Sequence, residues 1–159
     1  MSLFETTTLL AAGAKGGGQI ADAAQTRANI FEMTQAAEDA VLRPKDCGAF
    51  PHDLRAALAA RIAARAKDME LAQRYAQAAG ARTDISDPAQ NGGTDDAVLV
   101  AFVDKVAGAT KDIAADDIAQ LQNAGVSDAD IVRLCELVAF LAYQVRVVAG
   151  LRLMQGTKT

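Results

Sequence analysis

Two cysteines and one histidine are the residues of this 159-residue chain best suited to redox, nucleophilic or metal chemistry. Cys47 and Cys135 lie far apart and match no metal-binding or redox spacing. His52 has no His or Cys partner nearby, so we expect a surface residue in a first helical turn rather than a ligand or base. Cys135 is expected to be a small buried hydrophobe, whereas Cys47 could be accessible, and pairing them would need Cα atoms within about 7 Å. We therefore expect no metal and no cofactor.

Three other polar residues could contribute to a site. Asp68 could place a carboxylate in a pocket, although a solvated acid at a helix start is the commoner arrangement. Tyr75 could line a ligand cavity, although an aromatic ring that packs with its hydroxyl near water is more usual. Arg146 could form a buried ion pair with Glu136 or with an acid of another subunit. The sequence leaves these alternatives open.

Composition and charge exclude several classes of partner. Apolar residues make up 51% of the chain, aromatic residues only 4%, and the formal net charge is −4 with scattered basic residues. Because nucleic acids and anionic membranes select a clustered basic face, we expect neither as a partner. No apolar run is expected to approach the ~20 residues of a membrane span. With no basic, apolar and small-residue leader pattern and no cysteine framework, a reducing cytoplasmic setting is expected.

The elements that must position these residues are predicted to be helices. Residues 1–19 contain TTT and AKGGGQ without periodicity, which favours a flexible arm. Residues 20–155 are predicted to form one all-helical domain. Its halves, 20–80 and 94–155, are joined by a loop at 81–93 that contains Asp-Pro and Asn-Gly-Gly.

The first half is predicted to hold a helix from Ile20 to Leu42 and a second one that restarts at Pro51. The first helix carries an apolar stripe of Ile20, Ala24, Ala28, Phe31, Ala36 and Ala40. The second carries a stripe of Leu54, Leu58 and Ile62. That stripe is bordered by arginines expected to keep their charged ends in water: Arg55, Arg61 and Arg65. A junction is expected at 66–68, with helix continuing from Met69 to Gly80.

The second half is predicted to begin a helix at Thr94, and its clearest signal is the start of the last helix. Ser127 can cap that helix, Asp130 occupies the reciprocal N3 position, and Val126 can pack on Ile131. The following residues are apolar on most faces, which is typical of a helix in a core or in a subunit interface.

These segments together resemble a known superfamily. The segments are PHDLRAALAARIAARAKDMELAQRY at 51–75, LVAFVDKV, DDIAQLQNAGVSDADI and VAFLAYQVRVVAGL. In order and spacing, over roughly two-thirds of the chain, they resemble the peroxidase-related branch of the alkylhydroperoxidase D-like and carboxymuconolactone decarboxylase-like superfamily. The resemblance implies an alkylhydroperoxidase D-like helical bundle that assembles into dimers, trimers or hexamers with sites near subunit contacts.

The reactive residues of that family are missing here. The resemblance places the family's glutamate at Ala56, the cysteines of its Cys-x-x-Cys-x-x-x-His motif at Asp68 and Leu71, and its histidine at Tyr75. A shifted register does not restore the motif, because no Cys or His occurs from Asp53 to Leu134. Peroxide reduction needs an attacking thiolate and a resolving thiol. We therefore expect no thiol peroxidase activity and assign no catalytic residue.

Three functional hypotheses follow. The first is a degenerate family member that binds a small ligand or a partner, such as a catalytically intact relative. The second is an enzyme of the same superfamily with a non-thiol site, using Asp68, Tyr75 and His52 as acid–base groups in decarboxylation or lactone chemistry. The third is a residual antioxidant activity through Cys47 or Cys135 alone. Substrate and ligand are not specified by the sequence.

Overall fold

The structure of the protein, a computed structural model, describes residues 2–93 and 95–156, and these residues form helices and no strand. The predicted all-α fold is therefore confirmed. The α-helices are α1 (Thr7–Ala11), α2 (Gln19–Thr26), α3 (Ala28–Leu42), α4 (His52–Arg65), α5 (Met69–Ala76), α6 (Thr83–Ser86), α7 (Ala97–Gly108), α8 (Ala115–Asn123) and α9 (Asp128–Met154). Short 3-10 helices cover Leu3–Glu5, Gly80–Arg82 and Thr110–Asp112. Thr94, the predicted helix start of the second half, lies outside the described residues.

Helix α4 lies at the centre of the bundle and packs against α3, α5, α6, α7 and α9. It begins after Pro51 and is buried all round from Leu54 to Ala63. Half of these ten residues are alanine, whose small side chain lets neighbouring helices approach on every side. The junction predicted at 66–68 is confirmed, since α4 ends at Arg65 and α5 begins at Met69.

Two of the three arginines on α4 are buried, so the expectation that their charged ends stay in water is wrong for them. Arg55 is 2% exposed and donates to the backbone carbonyls of Phe50, Val41 and Cys47 at 2.7–2.9 Å. Arg61 is equally buried and forms two 2.8 Å hydrogen bonds to the Asp104 carboxylate. Only Arg65 stays exposed, as predicted. The five donors of a guanidinium make such burial tolerable when each meets an acceptor.

Helix α9 is the longest element and packs against α1, α3, α4, α7 and α8. Its predicted cap is confirmed, because the Ser127 hydroxyl accepts a hydrogen bond from the Asp130 amide at 3.2 Å. By length and composition alone α9 could cross a membrane, so the expectation that no apolar run reaches that length is wrong. In the structure 39% of the most apolar stretch of α9 is buried against the other helices. The core helix of a soluble protein can have the same length and composition.

The segment from Leu3 to Ala14 packs against other helices, which corrects the first part of the arm expected over residues 1–19, whereas Lys15 to Gln19 are exposed. Leu9 and Ala11 in α1 are fully buried. The carbonyls of Ala11 and Ala12 accept hydrogen bonds from the Arg152 and Gln155 side chains at 2.7 and 2.9 Å. The threonines make this segment polar in sequence and give it no periodic apolar face. In the structure, Thr7 and Thr8 form hydrogen bonds with α3 and α9.

Two further boundaries differ from the predictions. The helix predicted over 20–42 is interrupted at Arg27, whose φ of −115° and ψ of 25° are not helical. Beyond the break, the buried face of α3 differs from the predicted stripe, because Ala36 and Ala40 are exposed; the residues buried there are Phe31, Thr34, Gln35, Glu38 and Leu42. The loop predicted over 81–93 contains α6, with Ile85 buried, because Arg61 donates to the Ile85 and Asp87 carbonyls and ties this segment to α4.

Candidate functional site

Asp68 caps the start of α5 and forms a partly buried ion pair. One carboxylate oxygen accepts a hydrogen bond from the Leu71 amide at 3.1 Å. The two carboxylate oxygens also accept hydrogen bonds from the two terminal nitrogens of Arg152, at 3.0 and 3.1 Å. Asp68 is 6% exposed. The helix-start position was predicted correctly, whereas the solvated state was not, because the last turn of α9 brings Arg152 against it.

The other three predicted pocket positions are packed into the interior. Ala56 and Leu71 are buried, and Tyr75 is 5% exposed. The Tyr75 hydroxyl donates a 2.5 Å hydrogen bond to Oε1 of Gln144, which is itself fully buried. The expectation that this hydroxyl stays near water is wrong, because α9 supplies an acceptor inside the bundle. Of the four positions, only Asp68 borders open space.

Tyr75 and Gln144 belong to what we call the closed cluster, a buried polar group made of Thr7, Thr8, Gln35, Glu38, Tyr75 and Gln144. The Gln144 amide nitrogen donates to Glu38 at 2.8 Å and to Thr8 at 3.3 Å. The second Glu38 oxygen accepts from the Thr7 hydroxyl at 2.8 Å, and the Thr7 amide donates to Gln35 at 2.8 Å. Glu38 is 2% exposed, so its charge is held by these donors and by Arg43 at 3.7 Å.

Burial, aided by the negative charge of Glu38, raises the pKa of Tyr75 well above its ordinary value. A neutral tyrosine with a raised pKa cannot act as a base at neutral pH. Since α1 also covers the group through Thr7 and Thr8, the closed cluster has the properties of a structural hydrogen-bond network.

Asp68 lies instead on a second feature, which we call the open cleft. This cleft has a volume of about 820 Å³ and lies between the C-terminal ends of α4 and α7 and one face of α9. Its floor is apolar and built mostly of small residues: Ile62, Ala66, Ala107, Gly108, Ala142, Val145 and Ala149. Its charged lining comprises Arg65, Lys67, Asp68, Arg146 and Arg152. A cleft of this size is in the range of small-molecule sites.

The charges of the open cleft are not balanced. Arg152 pairs with Asp68, and Arg65 lies 3.2 Å from the Asp104 carboxylate. The exposed side chains of Lys67 and Arg146 have no hydrogen bond or ion pair within the part of the chain that the structure describes. Arg146 therefore does not form the ion pair with Glu136 that was one of its predicted alternatives. Four cations and one carboxylate line the cleft in a chain whose net charge is negative.

Lys67 also has an unusual backbone. Its φ of +63° is the only positive value of a residue other than glycine among residues 2–93 and 95–156. A side chain in this left-handed region costs roughly 1 kcal/mol, and such residues often occur in binding sites. The sequence predicted a junction here but could not reveal this conformation.

The thiols and the histidine do not converge with these groups into a reactive centre. Cys47 and Cys135 are free and half-buried. Burial raises the pKa of the Cys135 thiol, which lowers its thiolate fraction at neutral pH. His52 is exposed at the start of α4, as predicted, with Nε2 3.0 Å from the Pro44 carbonyl oxygen. Along α4 it lies about 20 Å from the Arg65 end that borders the cleft.

The proposed acid–base trio is therefore not assembled: Asp68 borders the cleft, Tyr75 is in the closed cluster, and His52 is at the far end of α4. Within residues 2–93 and 95–156, no group of three or more His, Cys, Asp or Glu side chains is arranged to hold a metal ion.

Two features of the site were missed by sequence reasoning although a signal existed for one. On α9, Ala142, Val145, Arg146, Ala149 and Arg152 follow the spacing of one helix face and mix small apolar residues with cations. This pattern distinguishes the cleft face from the large apolar residues of the core. The closed cluster offered no comparable signal, because Glu38 and Gln144 are 106 residues apart.

Comparisons with known proteins place the chain in no family: no family model, no curated protein and no solved structure matches it. The resemblance to the alkylhydroperoxidase D-like superfamily accordingly stays a prediction made from the residues.

Proposed function

We propose that this chain is a helical small-ligand-binding protein without thiol peroxidase activity, and that the open cleft is its binding site. The observation that carries the proposal is the cleft itself, about 820 Å³ with an apolar floor and a charged rim. Ligand sites are typically concave and mostly apolar with a few polar groups that orient the ligand. A degenerate member of the superfamily described above would fit this reading, because it would keep the helical scaffold after losing its thiols.

The enzymatic alternative has less support. Non-thiol acid–base catalysis needs groups that converge on one reacting atom. Tyr75 is sealed and neutral, both oxygens of Asp68 are bound by Arg152, and His52 is remote. Antioxidant activity through a single thiol is also disfavoured for Cys135, since its raised pKa keeps it protonated.

We also propose that the chain forms homo-oligomers in the cytoplasm. The support is a set of large apolar side chains that remain exposed, four of them on α9: Val132, Tyr143, Leu153 and Met154. Light scattering at micromolar concentration checks this part of the proposal. A monomer would contradict it without affecting the ligand site.

The ligand site is tested by blocking the cleft. Ala142→Phe places a ring on the cleft floor, whereas Ala139→Phe places the same ring on an exposed position of the same helix. In a thermal-shift screen of small neutral, anionic and cationic compounds, some should raise the melting temperature of the wild type and of Ala139→Phe. The same compounds should leave the melting temperature of Ala142→Phe unchanged.

Gly108→Val is a second blocking variant. A Cβ at Gly108 would meet only Arg65, at an ordinary 3.8 Å, so the fold should tolerate it. The cleft would be refuted as the binding site if the compounds stabilised the wild type and the three variants equally. It would also be refuted if no compound stabilised the wild type. Peroxide consumption with a dithiol that disappears in Cys47→Ser would refute the absence of thiol peroxidase activity.

A further inference from the structure

We infer that the open cleft selects small amphipathic anions, molecules with one carboxylate or phosphate head and an apolar body. This inference rests on the proposed function, since it names the class of ligand that the cleft takes. Lys67 and Arg146 are assigned to the anionic head, and the small residues of α9, α4 and α7 to the apolar body.

The head-group assignment follows from the unpaired cations. Arg152 pairs with Asp68, and Arg65 shares the Asp104 carboxylate with Arg61, so both arginines already have an acidic partner. Lys67 and Arg146 have no such partner in the described part of the chain, and both line the same cleft. An anionic oxygen there would receive charge-assisted hydrogen bonds, which are stronger than neutral ones. A cationic ligand would meet like charge.

The body assignment follows from what the floor lacks. Ile62, Ala142, Val145 and Ala149 offer no side-chain hydrogen-bonding group. The one lining carboxylate, Asp68, has its oxygens occupied by Arg152 and by the Leu71 amide. A sugar or other polyol would therefore lose its bonds to water without replacement, whereas an apolar body would gain from burial. This argues for an amphipathic anion over inorganic phosphate or a sugar phosphate.

The backbone of Lys67 supports the same assignment. Its φ of +63° would suit glycine or asparagine better, so the lysine side chain is present at a conformational cost. Lys67 is the only lysine that lines the cleft, and it lies at the α4–α5 junction in this strained conformation.

The test is a calorimetric titration of the full chain with decanoate, decanol, decyltrimethylammonium and inorganic phosphate, all below micelle concentrations. Decanoate should bind at least about tenfold more tightly than decanol, a difference of about 1.4 kcal/mol. Decyltrimethylammonium and phosphate alone should bind more weakly still. Lys67→Gln and Arg146→Gln should each weaken decanoate binding about threefold, and the double variant about tenfold, as expected for partly exposed charges.

Lys45→Gln is the matched control, because it removes an exposed lysine from the loop at the opposite end of α4. It should leave decanoate binding unchanged. Circular dichroism on every variant separates lost binding from lost folding. Because Lys67 and Arg146 are exposed, neither substitution should disturb the fold.

The outcomes separate the two proposals. Equal binding of decanol and decanoate, both lost in Ala142→Phe, would overturn the anion assignment and leave the ligand site standing. Phosphate binding as tightly as decanoate would overturn the apolar body. Anionic phospholipid vesicles serve as a fifth probe, and binding to them with none to soluble decanoate would replace the small molecule by a membrane surface. No binding of any probe to the wild type would overturn both proposals.

Discussion

The two ends of α5 lie in opposite environments, although the resemblance to the superfamily had placed them in one pocket. Asp68, at its start, borders the open cleft, whereas Tyr75, at its end, lies in the closed cluster. In the closed cluster a single carboxylate, Glu38, is surrounded by hydroxyl and amide donors and sealed from water. In the open cleft, cations outnumber acids, and two of the three exposed cations have no acidic partner in the described part of the chain. The polar groups of the closed cluster form hydrogen bonds with one another. In the open cleft, Lys67 and Arg146 remain available to an anionic ligand.

This difference has an energetic consequence. Removing one member of a sealed network leaves its partners buried without hydrogen bonds, at a cost of roughly 1–3 kcal/mol per group. Removing a side chain from an exposed rim lets water replace it, at a cost near zero. Substitutions in the closed cluster should therefore change folding, and loss of an exposed charge from the open cleft should change binding.

The largest expected effect is that of Gln144→Leu, which leaves the Tyr75 hydroxyl and the Glu38 carboxylate short of a partner. We expect a loss of about 3 kcal/mol in the free energy of unfolding. Urea denaturation followed by circular dichroism measures it. Arg146→Gln, two residues further along the same helix but exposed, should lie within about 0.5 kcal/mol of the wild type. Equal losses in the two variants would remove the distinction between the regions.

Asp68→Ala should destabilise the protein by about 2 kcal/mol, because it removes the cap of α5 and the partner of Arg152. Glu70→Ala, which removes an exposed acid 3.8 Å from the same arginine, should change stability by less than about 0.5 kcal/mol. Asp68→Asn keeps an oxygen for the cap and should cost less than Asp68→Ala. It should also bind decanoate more tightly than the wild type, since the only acid of the cleft lining is gone. Weaker decanoate binding in Asp68→Asn would contradict the anion assignment.

Tyr75→Phe should lower the free energy of unfolding by about 1–2 kcal/mol at pH 7, through the lost hydrogen bond to Gln144. Its pH dependence provides a second readout. Because the folded pKa of Tyr75 is raised above the unfolded value, its protonated state stabilises the fold below about pH 10, and this contribution is lost as pH rises further. Chemical denaturation between pH 9 and 11 should therefore show a flatter decline for Tyr75→Phe than for the wild type. Parallel declines would mean that the hydroxyl is open to water.

Lys67→Gly should raise the free energy of unfolding by up to about 1 kcal/mol, because glycine adopts a φ of +63° without strain. The same substitution should weaken decanoate binding, since it removes a cation from the cleft. Opposite changes in stability and affinity are the signature of a residue retained for binding. Unchanged affinity in a stabilised variant would remove Lys67 from the site.

The smallest effect is expected from the thiols. Cys47→Ser and Cys135→Ser should leave peroxide consumption at the background rate of the wild type. In the Cys47→Ser variant, alkylation of Cys135 should need a higher pH than that of a free thiol, because burial raises its pKa and keeps it protonated. Mass spectrometry of the alkylated protein across pH 7–10 measures this shift. Alkylation at the rate of a free thiol at pH 7 would contradict it.

Local signals predicted a large part of the fold. The Ser127 cap, the burial of Leu54, Leu58 and Ile62, and the junction at 66–68 depend on residues close in sequence, and each is present in the structure. The predictions that failed depend on distant partners. The exposed position expected for Arg61 was overturned by Asp104, which lies 43 residues away, and the first part of the arm expected at residues 1–19 by contacts to α3 and α9.

The candidate site was only partly predictable for the same reason. Asp68 was identified from its position in a resemblance, but its ion pair with Arg152 joins residues 84 apart. The remaining cations of the cleft come together only when α4, α7 and α9 pack. The polar face of α3 was hidden because alanines on its other side imitate an apolar stripe.

The most direct test of the division between the two regions is an amide chemical-shift map of the ¹⁵N-labelled protein during titration with decanoate. The account predicts saturable shifts at cleft residues such as Gly108, Ala142 and Ala149, with Tyr75 and Gln144 unmoved. Shifts that centre on Thr7, Tyr75 and Gln144 would contradict it, because they would place the ligand in the closed cluster.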